Sequence, residues 1–448
     1  MIGILFCTTS LAAAPADVKF LSLADIHFDP FIACYTENKS PCPLIEKLQQ
    51  APATQWADIF AANDNTHPEH RQDSNITLFK SSLTAAREAA EKEQARFVII
   101  LGDFLGHDFG RYYRKYARDK SSAGKHAFIE KTMQFVSLQI ADAFRGLDVY
   151  PVVGNNDSYT GDYSSIVGGA FFQNTAEQWS RFIKSSSNKA AFNKQFPYAG
   201  YYAVTLPQQP NLRFIFLNSV LFSSKAKGRG VDIAAEKELA WFAQELDAAH
   251  ANHQKVYIAM HIPPGIDVYT TLKTRMLTLI QFWKPEYTER YEAELKKHAD
   301  DVYAIFSGHL HSDWFQILTF PDSAAEIPVT GTPSISPLFG NNPGFKIYSY
   351  SSETLRLLDF VTYYYSLDRD SRWGMEYDFN RIFQPNCQDC PAVRGMNLLQ
   401  RTGSLANFFK LFYSTGTTSQ PITTQWDPYY WCAIHHITEL TYKQCLGE

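Results

Sequence analysis

Six short apolar runs, each stopped by a polar cluster, constrain this chain more than any other feature. They cover residues 18–23, 96–101, 149–153, 212–217, 256–260 and 302–306. Runs of this length, rich in β-branched and aromatic side chains, read as buried strands rather than helices. Between several of them lie stretches with apolar residues at helical spacing, at 77–92, 125–144 and 234–250. Strands alternating with helices predict an α/β fold whose sheet is covered on both faces. After residue 306 the texture becomes strand-rich, at 314–320, 326–330, 345–351 and 354–364, which predicts a second sheet. From about residue 372 the pattern turns helical again, most clearly over 396–413. The expected organisation is therefore a catalytic unit over 15–368 and a small helical subdomain over 369–448.

Seven cysteines are present. Cys7 falls in the first fourteen residues, whose apolar stretch and Ala12-Ala13-Ala14 resemble a short secretory signal, although no basic segment opens it. The other six form sequence-local pairs: Cys34 with Cys42, Cys387 with Cys390, and Cys432 with Cys445. A disulfide framework suits export to an oxidising, extracytoplasmic compartment. The rival reading of Cys387-x-x-Cys390, half a zinc site, lacks a second pair to complete it. Asn38-Lys-Ser40 and Asn75-Ile-Thr77 fit the glycosylation sequon. A net charge of −5 gives no basic field, so no stable nucleic-acid partner is expected. No run of 18 apolar residues predicts a transmembrane helix.

Five of the six runs end in metal-ligand chemistry: Asp25-Ile-His27, Gly102-Asp103, Gly154-Asn155-Asn156-Asp157, His261, and Gly308-His309-Leu-His311. In open α/β sheets, ligands sit beyond the carboxyl ends of the strands, so these ends can converge although nearly the whole domain separates them. In an extended segment Asp25 and His27 point to one side and can share an ion. His309 and His311 could serve one ion each if the chain turns there. The glycines before Asp103, Asn155 and His309 permit tight turns or close backbone approach. A carboxylate on a turn, Asp103, is the natural bridge between two ions. Oxygen and imidazole donors without thiolate suit zinc, manganese or iron.

The order D-x-H, GD, GN(H/N)D, H, GHxH resembles the calcineurin-like metallophosphoesterases. Within them the chain is most similar to the acid sphingomyelinase-like phosphodiesterases. The segments 102–107, Pro333-Ser-Ile-Ser-Pro337 and Asn341-Asn-Pro-Gly-Phe345 also match that group. The resemblance implies a two-sheet sandwich flanked by helices, with a disulfide-stapled helical C-terminal subdomain. It also implies two divalent ions, zinc being the first candidate. One would be held by Asp25, His27 and His311, the other by Asn155, His261 and His309, with Asp103 bridging. The substrate would be a small phosphorylated molecule, a nucleotide phosphate or a phospholipid headgroup, attacked by a metal-activated water.

One position departs from the family pattern. Where most members carry a histidine that protonates the leaving group, this chain has Asn156, which cannot deliver a proton. The same substitution occurs in endopolyphosphatase-type relatives, so polyphosphate is an alternative substrate. His107, four residues after the bridging aspartate, is then the candidate acid or phosphate-binding group. A catalytically silent phospho-ligand-binding protein is the alternative of another class. No G-x-S-x-G sequence supports a serine hydrolase.

Overall fold

The computed structural model describes residues 17–36, 38–387, 389–401, 415–416 and 424–448. The expected signal segment, 1–14, and residues 402–413 of the expected helix lie outside the described residues. Fourteen strands are numbered in chain order: β1 (Val18–Leu23), β2 (Phe97–Ile100), β3 (Asp148–Pro151), β4 (Ser164–Ile166), β5 (Tyr202–Leu206), β6 (Gln209–Phe216) and β7 (Lys227–Arg229). The rest are β8 (Lys255–Met260), β9 (Val302–Ser307), β10 (Phe315–Thr319), β11 (Glu326–Gly331), β12 (Gly344–Tyr350), β13 (Leu357–Tyr365) and β14 (Trp373–Asp378).

Two six-stranded sheets form the core, in the orders β14-β13-β12-β1-β2-β3 and β10-β11-β9-β8-β6-β5. β1, β2 and β3 run parallel in the first sheet, and β6, β8, β9 and β11 run parallel in the second. Aromatic side chains fill the space between them. Phe20 of β1 meets Phe214 of β6 and Phe306 of β9 edge-on, and Tyr257 of β8 meets Tyr350 of β12. Such rings bury large apolar areas and gain from edge-to-face contact. Part of the chain's 15% aromatic content thus holds one sheet against the other. The helices Ile76–Lys92 and Ser122–Ala143 belong to the core of the first sheet, and Val231–Ala251 and Pro285–Lys297 to that of the second.

The strand-rich run after residue 306 does not make a sheet of its own. β10 and β11 join the strands before them, while β12 and β13 return across the sandwich to pair beside β1. Sequence texture reveals strands but not their partners, which long-range packing selects. The segment after residue 372, read as helical, opens instead with β14, antiparallel to β13. The first sheet therefore runs past residue 368. Helices follow at Phe379–Phe383, Ala392–Arg401, Asp427–His435 and Glu439–Leu446. Disulfides join Cys34–Cys42, Cys387–Cys390 and Cys432–Cys445. Asn75 is buried and caps the helix Ile76–Lys92, its side chain accepting from Leu78 N at 2.8 Å, so it is no glycan acceptor in this fold. Among the described residues no helix is long and apolar enough to cross a membrane.

Candidate metal centre

The carboxyl ends of β1, β2, β3, β8 and β9 meet at one edge of the sandwich and bring all seven expected ligands together. Asp25, His27 and His261 are fully buried, Asp103, Asn155 and His311 nearly so, and His309 is half-buried. The convergence is not achieved by extended chain. Asp25, His27, Asp103, His309 and His311 all lie in the left-handed region, with φ of 50, 44, 55, 69 and 56°. Non-glycine residues occupy that region at a cost, and such outliers cluster at functional sites. Asp25 and His27 therefore face the same point because the backbone turns at each of them, not through a period of two. Backbone bonds hold the turns: Asp25 N–H donates to Gly102 O at 3.0 Å, His27 N–H to Asp103 O at 2.8 Å, and Gly308 N–H to His261 O at 3.1 Å. A Cβ on Gly308 would lie 2.6 Å from Asp25 Oδ2, so glycine is needed there for close approach.

Two knots of donor atoms share one carboxylate. His27 Nδ1 bonds to Leu105 O at 2.9 Å, which turns Nε2 inward to His311 Nε2 at 3.0 Å. Asp25 Oδ1 lies 3.7 Å from His27 Nε2 and 3.4 Å from His311 Nε2. In the second knot His261 Nδ1 bonds to Leu101 O at 2.7 Å, and Nε2 faces Asn155 Oδ1 at 2.9 Å. Asn155 donates its Nδ2 to Asp162 at 2.8 Å, which fixes the amide with its oxygen inward. Asp103 Oδ2 stands between the knots, 3.4 Å from His27 Nε2 and 3.3 Å from His261 Nε2. The ring of His309 stands 5.1 Å from that of His261, whereas His311 sits on the His27 side, so the chain turn separates the two. Carbonyl bonds that set the tautomer of an inward-facing histidine are the usual support of a metal ligand. Oxygen and imidazole donors gathered in this way suit divalent ions.

Charge in the bare site follows the same logic. Burial favours the neutral ring of His27, yet the carboxylates of Asp103, Asp25 and Asp73 raise it to about 10. His261 is likewise raised to about 9 against burial, mainly by Asp103. Asp103 is held well below the usual carboxylate range by His261 and His27, although burial opposes this. Burial, with the charge of the neighbouring rings, pushes His309 and His311 well below 6.5. Protons on His27 and His261 thus stand where cations would bind.

The two residues expected to act in catalysis are placed differently. Asn156 is buried and turned onto Asp103, donating its backbone N–H at 2.7 Å and its Nδ2 at 2.9 Å. It orients the shared carboxylate. His107 stacks on His27 with ring centroids 4.0 Å apart, keeps partial exposure and lines the cavity. Its Nδ1 lies 3.1 Å from Asp73 Oδ1, and its backbone N–H donates to Asp73 Oδ2 at 2.7 Å. Asp73, itself anchored by Ser336 Oγ at 2.8 Å, was not legible in the sequence, since it precedes a helix with no motif around it. Asp157 ties the second and third strand ends together, accepting from Phe104 N and Gly154 N at 2.8 Å each. Its place in the GNND run was the only signal. Lys346 and Tyr377, both buried, hold Asp313 beyond the GHLH turn, so β12 and β14 support the ligand loop. Asn341 is occupied within its own loop, Asn342 bonds Thr415 O and Leu367 N outside it, and His435 bonds to Ile317 O.

The centre opens into a cavity of about 580 Å³. Ile266, Val268, Phe282 and Phe339 form apolar walls, and Lys225 and Lys273 stand among the lining residues. Four lining residues also carry polar atoms that are shut off from solvent and lack a protein hydrogen-bond partner: His311 Nδ1, Trp314 Nε1, Gln316 Oε1 and Asn341 Oδ1.

The fold and the site together define a metal-dependent phosphoesterase. The sequence profile of the calcineurin-like phosphoesterases matches residues 18–313, and the chain belongs to that family, a metallophosphoesterase that hydrolyses phosphoric esters. Over its length it is similar to acid sphingomyelinase-like phosphodiesterase 3b of Mus musculus, 26% identical across 96% of this chain and 90% of that protein. It is 22% identical to the cyclic GMP-AMP phosphodiesterase SMPDL3A of Homo sapiens, across 97% and 91% of the two chains. Among solved structures, a dimetal phosphatase of Danio rerio aligns at a TM-score of 0.45 and 13% identity, over 77% of this chain and 95% of that one.

Proposed function

We propose that this protein is an exported two-metal phosphodiesterase acting on small phosphate esters or anhydrides with a polar leaving group, nucleotide phosphates foremost. The observation that carries the two-metal reading is Asp103 Oδ2, within 3.4 Å of one inward histidine nitrogen from each sheet. Asp25, His27 and His311 would hold one ion and Asn155, His261 and His309 the other, with Asp103 shared. Two divalent ions, zinc by donor set with manganese or iron also accommodated, supply Lewis-acid charge to the phosphoryl oxygens and acidify the attacking water when bound. Asn156 keeps the Asp103 carboxylate in one orientation through two donated hydrogen bonds. Asp73 holds the Nδ1 side of His107, which leaves Nε2 to pass a proton to the departing oxygen. The acid thereby stands beside His27 rather than at position 156.

Substrate preference follows from the cavity. Its lining mixes apolar walls with Asp162, Lys225, Asp267 and Lys273, which suits a charged, hydrogen-bonding leaving group better than an acyl chain, since polar groups left unpaired reject the wrong substrate strongly. Two relatives named as phosphodiesterases over nearly the whole chain accord with this. A phosphoanhydride reading, polyphosphate included, is favoured by Lys225 and Lys273 beside the cavity and by a leaving group that needs little acid. One panel separates the readings: a nucleoside triphosphate, a nucleotide diester, sphingomyelin and long-chain polyphosphate. The nucleotides should be turned over fastest; sphingomyelin as the preferred substrate would refute the assignment. The three disulfides support export, and residues 1–14 missing from protein recovered outside the cytoplasm would establish it.

A further inference from the structure

Far from the catalytic edge, His250, His298 and Asp301 bring metal-ligating atoms within 4.8 Å of one another. We propose that these three side chains form a separate structural site for one zinc-class divalent cation. The elements that carry them are independently fixed. His250 lies in the last turn of the helix Val231–Ala251, and His298 closes the helix Pro285–Lys297, its N–H donating to Glu294 O at 3.1 Å. Asp301 just precedes β9; its N–H donates to His298 O at 2.9 Å, and its carbonyl accepts from Val256 N of β8 at 2.8 Å.

The side chains are arranged as a ligand set with its supports. Asp301 Oδ2 is 2.7 Å from His250 Nδ1 and 3.8 Å from His298 Nδ1. The other oxygen, Oδ1, is held by Lys255 Nζ at 3.1 Å, so a cation would take Oδ2 in place of its hydrogen bond with His250 Nδ1. His298 is only 4% exposed. Its outer nitrogen, Nε2, makes no hydrogen bond but lies 3.2 Å from Asp247 Oδ1. A hydrogen bond from this nitrogen to Asp247, completed by a small rotation of the ring, would orient a metal-bound imidazole. Lys297 balances Asp247 from outside at 2.6 Å. His250 is exposed and gives an ion its entry path. Two imidazoles and one carboxylate, with water completing the shell, match a borderline divalent ion such as Zn²⁺.

The location gives the site its consequence. Asp301 and Lys255 stand at the amino ends of β9 and β8, and the same two strands deliver His309 and His261 at their carboxyl ends. An ion here would clamp two helix ends to the strands that deliver His261, His309 and His311, roughly 20 Å away along a six-residue strand. It would stabilise the fold and leave the chemistry untouched. Dialysis of the full-length protein against zinc, with bound metal counted by plasma mass spectrometry, tests this. Wild type should hold three zinc ions per chain, and His250→Ala and His298→Ala two, both variants keeping wild-type turnover. Zinc added beyond two equivalents should raise the melting temperature of wild type but not of His250→Ala. Because His250 is exposed, that variant decides the matter if His298→Ala fails to fold. Equal zinc content and equal thermal response in wild type and His250→Ala would overturn the proposal. Asp103→Ala should keep the remote ion, which separates this site from the catalytic centre.

Discussion

The two sides of the catalytic centre draw on both sheets yet are finished differently. On the first side Asp25 and His27 come from β1 and His311 from beyond β9. His107 and Asp73 close over them, with Phe339 against His311 at 4.7 Å. On the second side Asn155 follows β3, while His261 and His309 follow β8 and β9. Tyr163, whose hydroxyl lies 3.3 Å from His309 Nε2, and Asp162 border it, and Lys225 stands over the Tyr163 ring at 5.1 Å. Neither sheet alone completes either side, so the centre exists only when the sandwich is closed. The contrast between the sides lies in proton handling. A carboxylate-backed histidine stands over the first, and an amide, a phenol and a lysine edge the second. On the proposed reading, Asn156 positions Asp103 while His107 carries the proton.

Several changes would break or sharpen that contrast. The largest effect belongs to the group both sides share. Asp103→Ala should remove metal from both and lower kcat/KM by at least the ~10³-fold typical of losing one preorganised charge-stabilising group. If only one ion is lost and turnover persists, the sharing is wrong. Replacing His107 by Ala should act on one side alone, cutting turnover of alkyl phosphodiesters by ~10²-fold or more while sparing nitrophenyl esters, whose leaving groups need no proton. Equal losses for both leaving groups would assign His107 to binding instead. Asn156→Ala and Asp73→Asn remove supports rather than reacting groups, and each should cost ~10-fold, within the range for partners that orient ligands. Asp73→Asn should flatten the limb of the pH–rate profile that Asn156→Ala leaves in place.

Acidity offers a gentler probe. In the metal-free protein His27 and His261 are raised from 6.5 to about 10 and about 9, so their rings are charged at neutral pH and must shed protons when ions bind. Metal affinity should accordingly rise by ~10-fold per pH unit for each ion up to about pH 9, then level off on the His261 side first. The stability these charged rings lend the metal-free fold has the opposite sign. It is complete below pH 6.5 and is lost as pH rises through about 9 to 10. Thermal melts of chelator-treated protein across that range, with proton release recorded on zinc addition, check both statements. Pairwise affinities that do not change between pH 6 and 9 would show that no proton occupies the ligand nitrogens.

The candidate ligands stand out in the sequence because each lies just after an apolar run stops, and strand ends are local events. Asp25, Asp103, Asn155, His261 and His309 could all be found that way. The means of convergence was hidden. The turn at His27 is held by its N–H to Asp103 O, and the GHLH turn is entered through Gly308 N–H to His261 O, bonds that form only between strand ends distant in sequence. Asp73 escaped notice for a related reason: its partners, His107 and Ser336, are 34 and 263 residues away. The division of strands between sheets was equally illegible. β11 and β12 both read as strands and neither sequence names its neighbour, yet β12 crosses back to β1 while β11 stays beside β9. β14 was read as helix because its alternation is short and its pairing with β13 is what makes it a strand.

The central claim is that two ions held through Asp103 perform the reaction, and metal reconstitution addresses it most directly. His250→Ala protein, which lacks the proposed remote site, would be stripped with chelator and titrated with zinc while hydrolysis of a bis-aryl phosphodiester is followed. Turnover should be negligible without metal, rise until two equivalents are bound, and fail to return in the Asp103→Ala double variant. Full activity in chelator, or a plateau at one equivalent, would contradict the account.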